Sequence, residues 1–178
     1  MRVHSFLKLL GCMALTLNSF PLCVFAESQS RTVQVTATIL PRLELSINPS
    51  TGSSIAFGAI AQPNTGSTNT KTVAVNLSVF SNLDRPYHVT QTVRHPLTAT
   101  SGTTIPDEQL QIITRNASQG EVGLGTLVPV ASGTPTTLYT SNAHGKSDAF
   151  VADYQLSVTP TTPAGDFGTE ILYTVTSL

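Results

Sequence analysis

The stretch Thr72-Val-Ala-Val-Asn-Leu-Ser-Val-Phe-Ser81 decides the fold of this chain. Val73, Val75, Leu77 and Val79 alternate with Thr72, Ala74, Asn76 and Ser78. A period of two residues puts the first set on one face of an extended strand and the second set on the other. The length and regularity of the run predict a central strand of a buried core.

Working outward, the same period recurs and helical periodicity is absent after residue 26. Leu43, Leu45 and Ile47 alternate with Glu44 and Ser46, and Tyr87, Val89 and Gln91 oppose His88, Thr90 and Thr92. Phe150, Ala152, Tyr154, Leu156 and Val158 form one face of a long strand, and Ile171, Tyr173 and Val175 one face of another. Shorter candidates are 110–114, 121–131 and 136–140. The run 55–60 contains Gly58 and reads as a bent strand or bulge. Between these runs lie turn-rich segments, 62–69, 97–107 and 161–165, with Gly, Pro, Asn and Thr. Many short strands joined by such turns predict an all-β fold, a single immunoglobulin-like β-sandwich.

The ends of the chain carry separate information. Residues 1–26 read as a secretory signal peptide: Arg2 and Lys8 lead, Leu9 to Leu17 is apolar, and Val24-Phe25-Ala26 offers a cleavage site. Leu10-Gly11-Cys12 faintly resembles a lipoprotein box, but Lys8 leaves almost no apolar stretch before it. Residues 27–40 read as an N-terminal extension and 41–178 as the sandwich domain. Within the extension, Val33, Val35, Ala37 and Ile39 alternate strictly with Thr32, Gln34, Thr36 and Thr38, and Pro41 follows. A terminal strand with an apolar row can serve its own sheet or another molecule's.

Both cysteines, Cys12 and Cys23, fall within 1–26, so the exported part is expected to hold together without disulfides. The same part keeps seven of the nine basic residues and all ten acidic ones, a net charge near −3. With no basic cluster, nucleic acid and anionic membrane are not expected partners. No segment after residue 26 approaches membrane-spanning length.

The residues at the two ends resemble a family. Arg31-Thr-Val-Gln-Val-Thr-Ala-Thr-Ile-Leu-Pro-Arg-Leu-Glu-Leu45 is similar to the mature N-terminus of CS1/CFA-I-type fimbrial major subunits, the alternate chaperone–usher pilins. In these a valine-threonine strand precedes a proline and a second apolar strand. Pro163-Ala-Gly-Asp-Phe-Gly-Thr-Glu-Ile-Leu-Tyr-Thr-Val-Thr176 resembles the close of the same pilins and, more distantly, of spore-coat-U-like archaic ones. The cysteine pair frequent in the spore-coat-U group is missing. The likeness covers about a quarter of the exported chain.

The resemblance implies an incomplete sandwich that is completed by strand donation. A periplasmic chaperone first covers the open edge, and at the outer-membrane usher the next subunit's N-terminal strand replaces it. On this chain it assigns Val33, Val35, Ala37 and Ile39 to the donor strand and Ile171, Tyr173 and Val175 to the acceptor edge. The implied partners are homologous pilin subunits in a head-to-tail polymer, a periplasmic chaperone and an outer-membrane usher. The implied location is a cell-surface fimbria. The alternative is a self-complemented secreted or periplasmic sandwich that binds a protein or glycan.

Nothing in the sequence points to an enzyme or a cofactor. There is no Gly-x-Ser-x-Gly elbow and no phosphate loop. His88, His95 and His144 lack tight zinc spacing, and no calcium loop accompanies Asp148 and Asp153. Tyr139 is the best candidate for an exposed sugar-stacking aromatic.

Overall fold

The computed structural model describes residues 29–178. The segment read as a signal peptide, with Cys12 and Cys23, lies outside the described residues. The chain divides into two units, Met1–Thr38 and Ile39–Leu178. In the first, the described residues 29–38 form neither strand nor helix. The alternation there does not build a ladder by itself, because an isolated strand has no partner for its backbone N–H and C=O groups.

The second unit is an all-β sandwich. Its strands are β1 (Leu43–Pro49), β2 (Asn69–Ser81), β3 (Tyr87–Val93), β4 (Thr98–Ala99), β5 (Leu110–Arg115) and β6 (Glu121–Val122). They continue as β7 (Val128–Pro129), β8 (Thr136–Thr140), β9 (Asp148–Val158), β10 (Phe167–Gly168) and β11 (Ile171–Ser177). One sheet runs β1-β2-β9-β5-β7 and the other β11-β3-β8-β6, with a small β10-β4 ribbon at one end. The only helix among the described residues is one short turn, Asp107–Gln109. Among the described residues no helix is long and apolar enough to cross a membrane.

The clearest alternating run is the centre of the larger sheet, with β2 paired to β1 on one side and β9 on the other. Val73, Val75 and Leu77 of β2 lie opposite Tyr154, Ala152 and Phe150 of β9 on the inner side; Val79 and Leu156 continue the two rows, and all are buried. The second sheet contributes Tyr87, Val89, Gln91 and Val93 of β3 with Leu138 and Tyr139 of β8. Each large apolar side chain so removed from water contributes roughly 1.5–3 kcal/mol.

The candidate 121–131 is not one strand but pairs only at Glu121–Val122 in one sheet and Val128–Pro129 in the other, and two further expectations fail. The run 55–60 joins no ladder. Side chains hold its backbone instead: Lys71 Nζ donates to the carbonyls of Phe57 (3.1 Å) and Ala59 (2.8 Å), and Asn69 Nδ2 to that of Ala61 (2.8 Å). Gly58, at φ +65°, stands between the first two carbonyls in a conformation that favours glycine. The second failure is Tyr139, expected exposed but fully buried. β8 loses alternation because the β3–β8 register shifts: Val89 pairs with Tyr139 and Thr90 with Thr137. Leu138 is the extra residue of a bulge, and both it and Tyr139 turn inward.

Candidate functional site

Each sheet ends in a strand with one free edge, β1 in one and β11 in the other, and these two strands approach each other. The order β1-β2-β9-β5 matches the A-B-E-D sheet of an immunoglobulin domain, and β11 beside β3 matches F beside C. In that fold a further strand, G, pairs with the outer edge of F. Among the described residues nothing pairs with that edge of β11. Its N–H and C=O groups are therefore an open template for another strand.

Burial follows the same geometry. Inward positions on β2, β3 and β9 are almost completely covered. On β11, Ile171, Tyr173 and Val175 also point inward but are only half-buried. On β1, cover fades from Leu45 to Ile47, which is 38% exposed although Leu77 opposite it is fully buried. Apolar faces at both edges thus lack the layer that would cover them.

Between these edges lies an open groove of about 1190 Å³. Ile47 and Pro49 of β1 form one wall, and Ile171 and Tyr173 of β11 the other. Its floor is Leu110, Tyr154 and Leu156 of the core, and Phe57, Ile60, Leu97, Ile105 and Phe167 line it as well. Of the three acceptor residues expected from the sequence, Ile171 and Tyr173 line the groove. Val175 packs beside it against the core.

One polar feature crosses the groove floor. Tyr154 donates its hydroxyl hydrogen to Gln91 Oε1, and its oxygen lies 2.7 Å from the Tyr173 hydroxyl, which donates to it in turn. The chain ties the two sheets together where they begin to part. Burial pushes the Tyr154 hydroxyl well above the usual phenol range and that of Tyr173 up to about 12, so both remain neutral donors.

The four donor residues behave differently. Val33, Val35 and Ile39 are 82%, 89% and 84% exposed, Ala37 is exposed too, and none belongs to a ladder. At the head of β1, Asn82 clamps the backbone: its Oδ1 accepts from Arg42 N–H at 2.6 Å and its Nδ2 donates to Leu40 O at 3.0 Å. The sequence reading gave neither this asparagine nor Phe57 and Phe167 a role at the site, because their parts in it depend on contacts between residues far apart in the chain.

Tyr139 is a structural residue, not a sugar platform. Its ring stacks on Phe150 at 4.9 Å, and its hydroxyl donates to buried Asp148 at 2.9 Å. Asp148 also accepts from the backbone N–H groups of Ser118, Gln119, Gly120 and Ala149 and from the Ser118 hydroxyl. Burial alone would raise its pKa, but these hydrogen bonds outweigh it and hold the carboxyl at about 2. His88, His95 and His144 do not converge, and no group of metal-ligating residues exists among the described residues.

Comparison of the chain with protein-family models and with curated proteins gives no match.

Proposed function

We propose that this protein is a structural subunit of a surface fimbria, assembled by donor-strand exchange through a chaperone–usher pathway and serving adhesion or biofilm formation. The observation that carries the reading is the groove itself: two free edges, β1 and β11, flank the place of an immunoglobulin G strand, and the apolar side chains that line it from those edges, Ile47, Ile171 and Tyr173, are incompletely buried. The occupant we assign is residues 32–39 of a second copy. That segment has the alternating apolar row a groove between two sheets requires, its valines and Ile39 are exposed, and it is about as long as β11. Insertion would pair its backbone with β11 and bury Val33, Val35, Ala37 and Ile39, by β-augmentation. The contact joins different surfaces of the two copies, so it propagates head to tail and does not close into a dimer.

Before assembly the exposed edge is an aggregation hazard, which is the physical need for a periplasmic chaperone strand and for release at an outer-membrane usher. Size-exclusion chromatography and negative-stain microscopy of residues 27–178, beside a version beginning at Pro41, test the reading. Ladders or fibres from the first, and a short species stabilised by a peptide of residues 30–40 from the second, are expected. A stable monomer that unfolds on truncation would overturn it.

A further inference from the structure

The pairing of β1 with β2 continues beyond the strand ends, and a side chain continues it. β1 begins at Leu43, opposite Ser81, the last residue of β2. Past Ser81 the chain turns toward β3, with Asp84 at φ +52°. Arg42 still finds partners. Its carbonyl accepts from the Asn82 N–H at 3.2 Å, and its own N–H donates to Asn82 Oδ1 at 2.6 Å. Asn82 Nδ2 then donates to Leu40 O at 3.0 Å. The side-chain amide thus stands in for the acceptor and the donor that a continuing β2 would have offered. Pro41, between the two held residues, has no N–H that needs a partner.

The Arg42 side chain adds a further hold. Its guanidinium lies 5.1 Å from the centre of the Phe80 ring and forms an ion pair with Glu44. Phe80 and Glu44 are themselves opposed in the β1–β2 register. Leu40 and Arg42 are therefore fixed to the sandwich although they lie outside its strands.

The consequence concerns the join between subunits, and it rests on the donor-strand reading. The strand given away is 32–39, and the hold of the giving subunit begins at Leu40. No residue is left over as a linker. We infer that Asn82 makes this join stiff: by seating Leu40 and Arg42 on their own sandwich, it fixes the direction in which the donor strand leaves for the next copy. Asn82 does not line the groove, so it is a positioning residue for the fibre and takes no part in insertion.

Asn82 is exposed, and replacing it leaves the core untouched. Asn82→Ala removes both side-chain hydrogen bonds. Asn82→Asp keeps an acceptor for Arg42 and loses the donor to Leu40. The full chain and both variants are exported to the periplasm, polymerised and imaged in negative stain, and the persistence length is measured along the fibres. Freed of the clamp, Leu40 to Arg42 becomes a short flexible linker between folded bodies, and the persistence length of Asn82→Ala fibres should fall by about twofold or more. Asn82→Asp should lie between, with the amount of fibre unchanged in both.

Equal persistence lengths in all three would overturn the inference and leave donor-strand exchange standing. Fibres from the unaltered chain but from neither variant would overturn it too, because Asn82 would then serve folding or insertion and not stiffness. If the unaltered chain forms no polymer, donor-strand exchange itself falls, and this role of Asn82 with it.

Discussion

The hydroxyls of Tyr154 and Tyr173 lie 2.7 Å apart, joining β9 of one sheet to β11 of the other on the floor of the open groove. The two partners are not equivalent. Tyr173→Phe removes one donor to Tyr154, which still donates to Gln91, and should cost about 1 kcal/mol. Tyr154→Phe also strips buried Gln91 of its hydrogen bond and should cost about 1–3 kcal/mol. Urea unfolding of both variants checks the order. Equal losses would show that the Gln91 contact contributes nothing.

Val35→Asp separates folding from assembly. Val35 is 89% exposed in the single chain, so the substitution should change its stability by less than about 0.5 kcal/mol. In an assembled groove it would bury an unpaired carboxylate at a cost of several kcal/mol and abolish polymer. Thr36→Asp, on the opposite face, should assemble normally. Thermal melts and electron microscopy of the two variants make the comparison, and a collapsed melting temperature for Val35→Asp would mean that the strand completes its own domain.

The carboxyl of Asp148 gives a defined acid sensitivity. Its pKa is about 2 in the folded protein, below the ordinary value near 4 in the unfolded chain. The unfolded state thus binds a proton first as the pH falls, so this stabilisation is complete above about pH 4 and is lost toward pH 2. The shift corresponds to about 2 kcal/mol. Unfolding free energies measured between pH 2 and 6 should show that slope, and Asp148→Asn should flatten it while lowering stability at neutral pH.

Gly145 closes the turn before β9 at φ +54°, and a Cβ there would stand 1.8 Å from the carbonyl oxygen of Arg85. Backbone cannot yield as a flexible side chain does. Gly145→Ala should therefore cost about 2–3 kcal/mol, which chemical denaturation would register as a lower midpoint at unchanged slope. Gly125→Ala, where the added carbon meets open space, is the matched control.

Alternation by itself determined which residues of β2, β3, β9 and β11 face the core, because successive side chains of any extended chain point to opposite sides. Val73, Val75, Leu77 and Val79 could be placed from their spacing alone, as could Ile171, Tyr173 and Val175 on the inner side of the last strand. What only the tertiary structure decided is which strands lack neighbours. β1 and β11 stand at opposite ends of the domain sequence, and no local pattern says that their edges face each other across a groove. Tyr139 went astray for a related reason: its inward turn comes from a one-residue bulge against β3, a property of the pairing and not of either strand. The bent run 55–60 likewise owes its course to Lys71 and Asn69, which reach its carbonyls from the next strand. Side-chain direction is local and legible in sequence, whereas pairing order, edges and the space between them arise from contacts between distant residues and exist only once the sheets have closed.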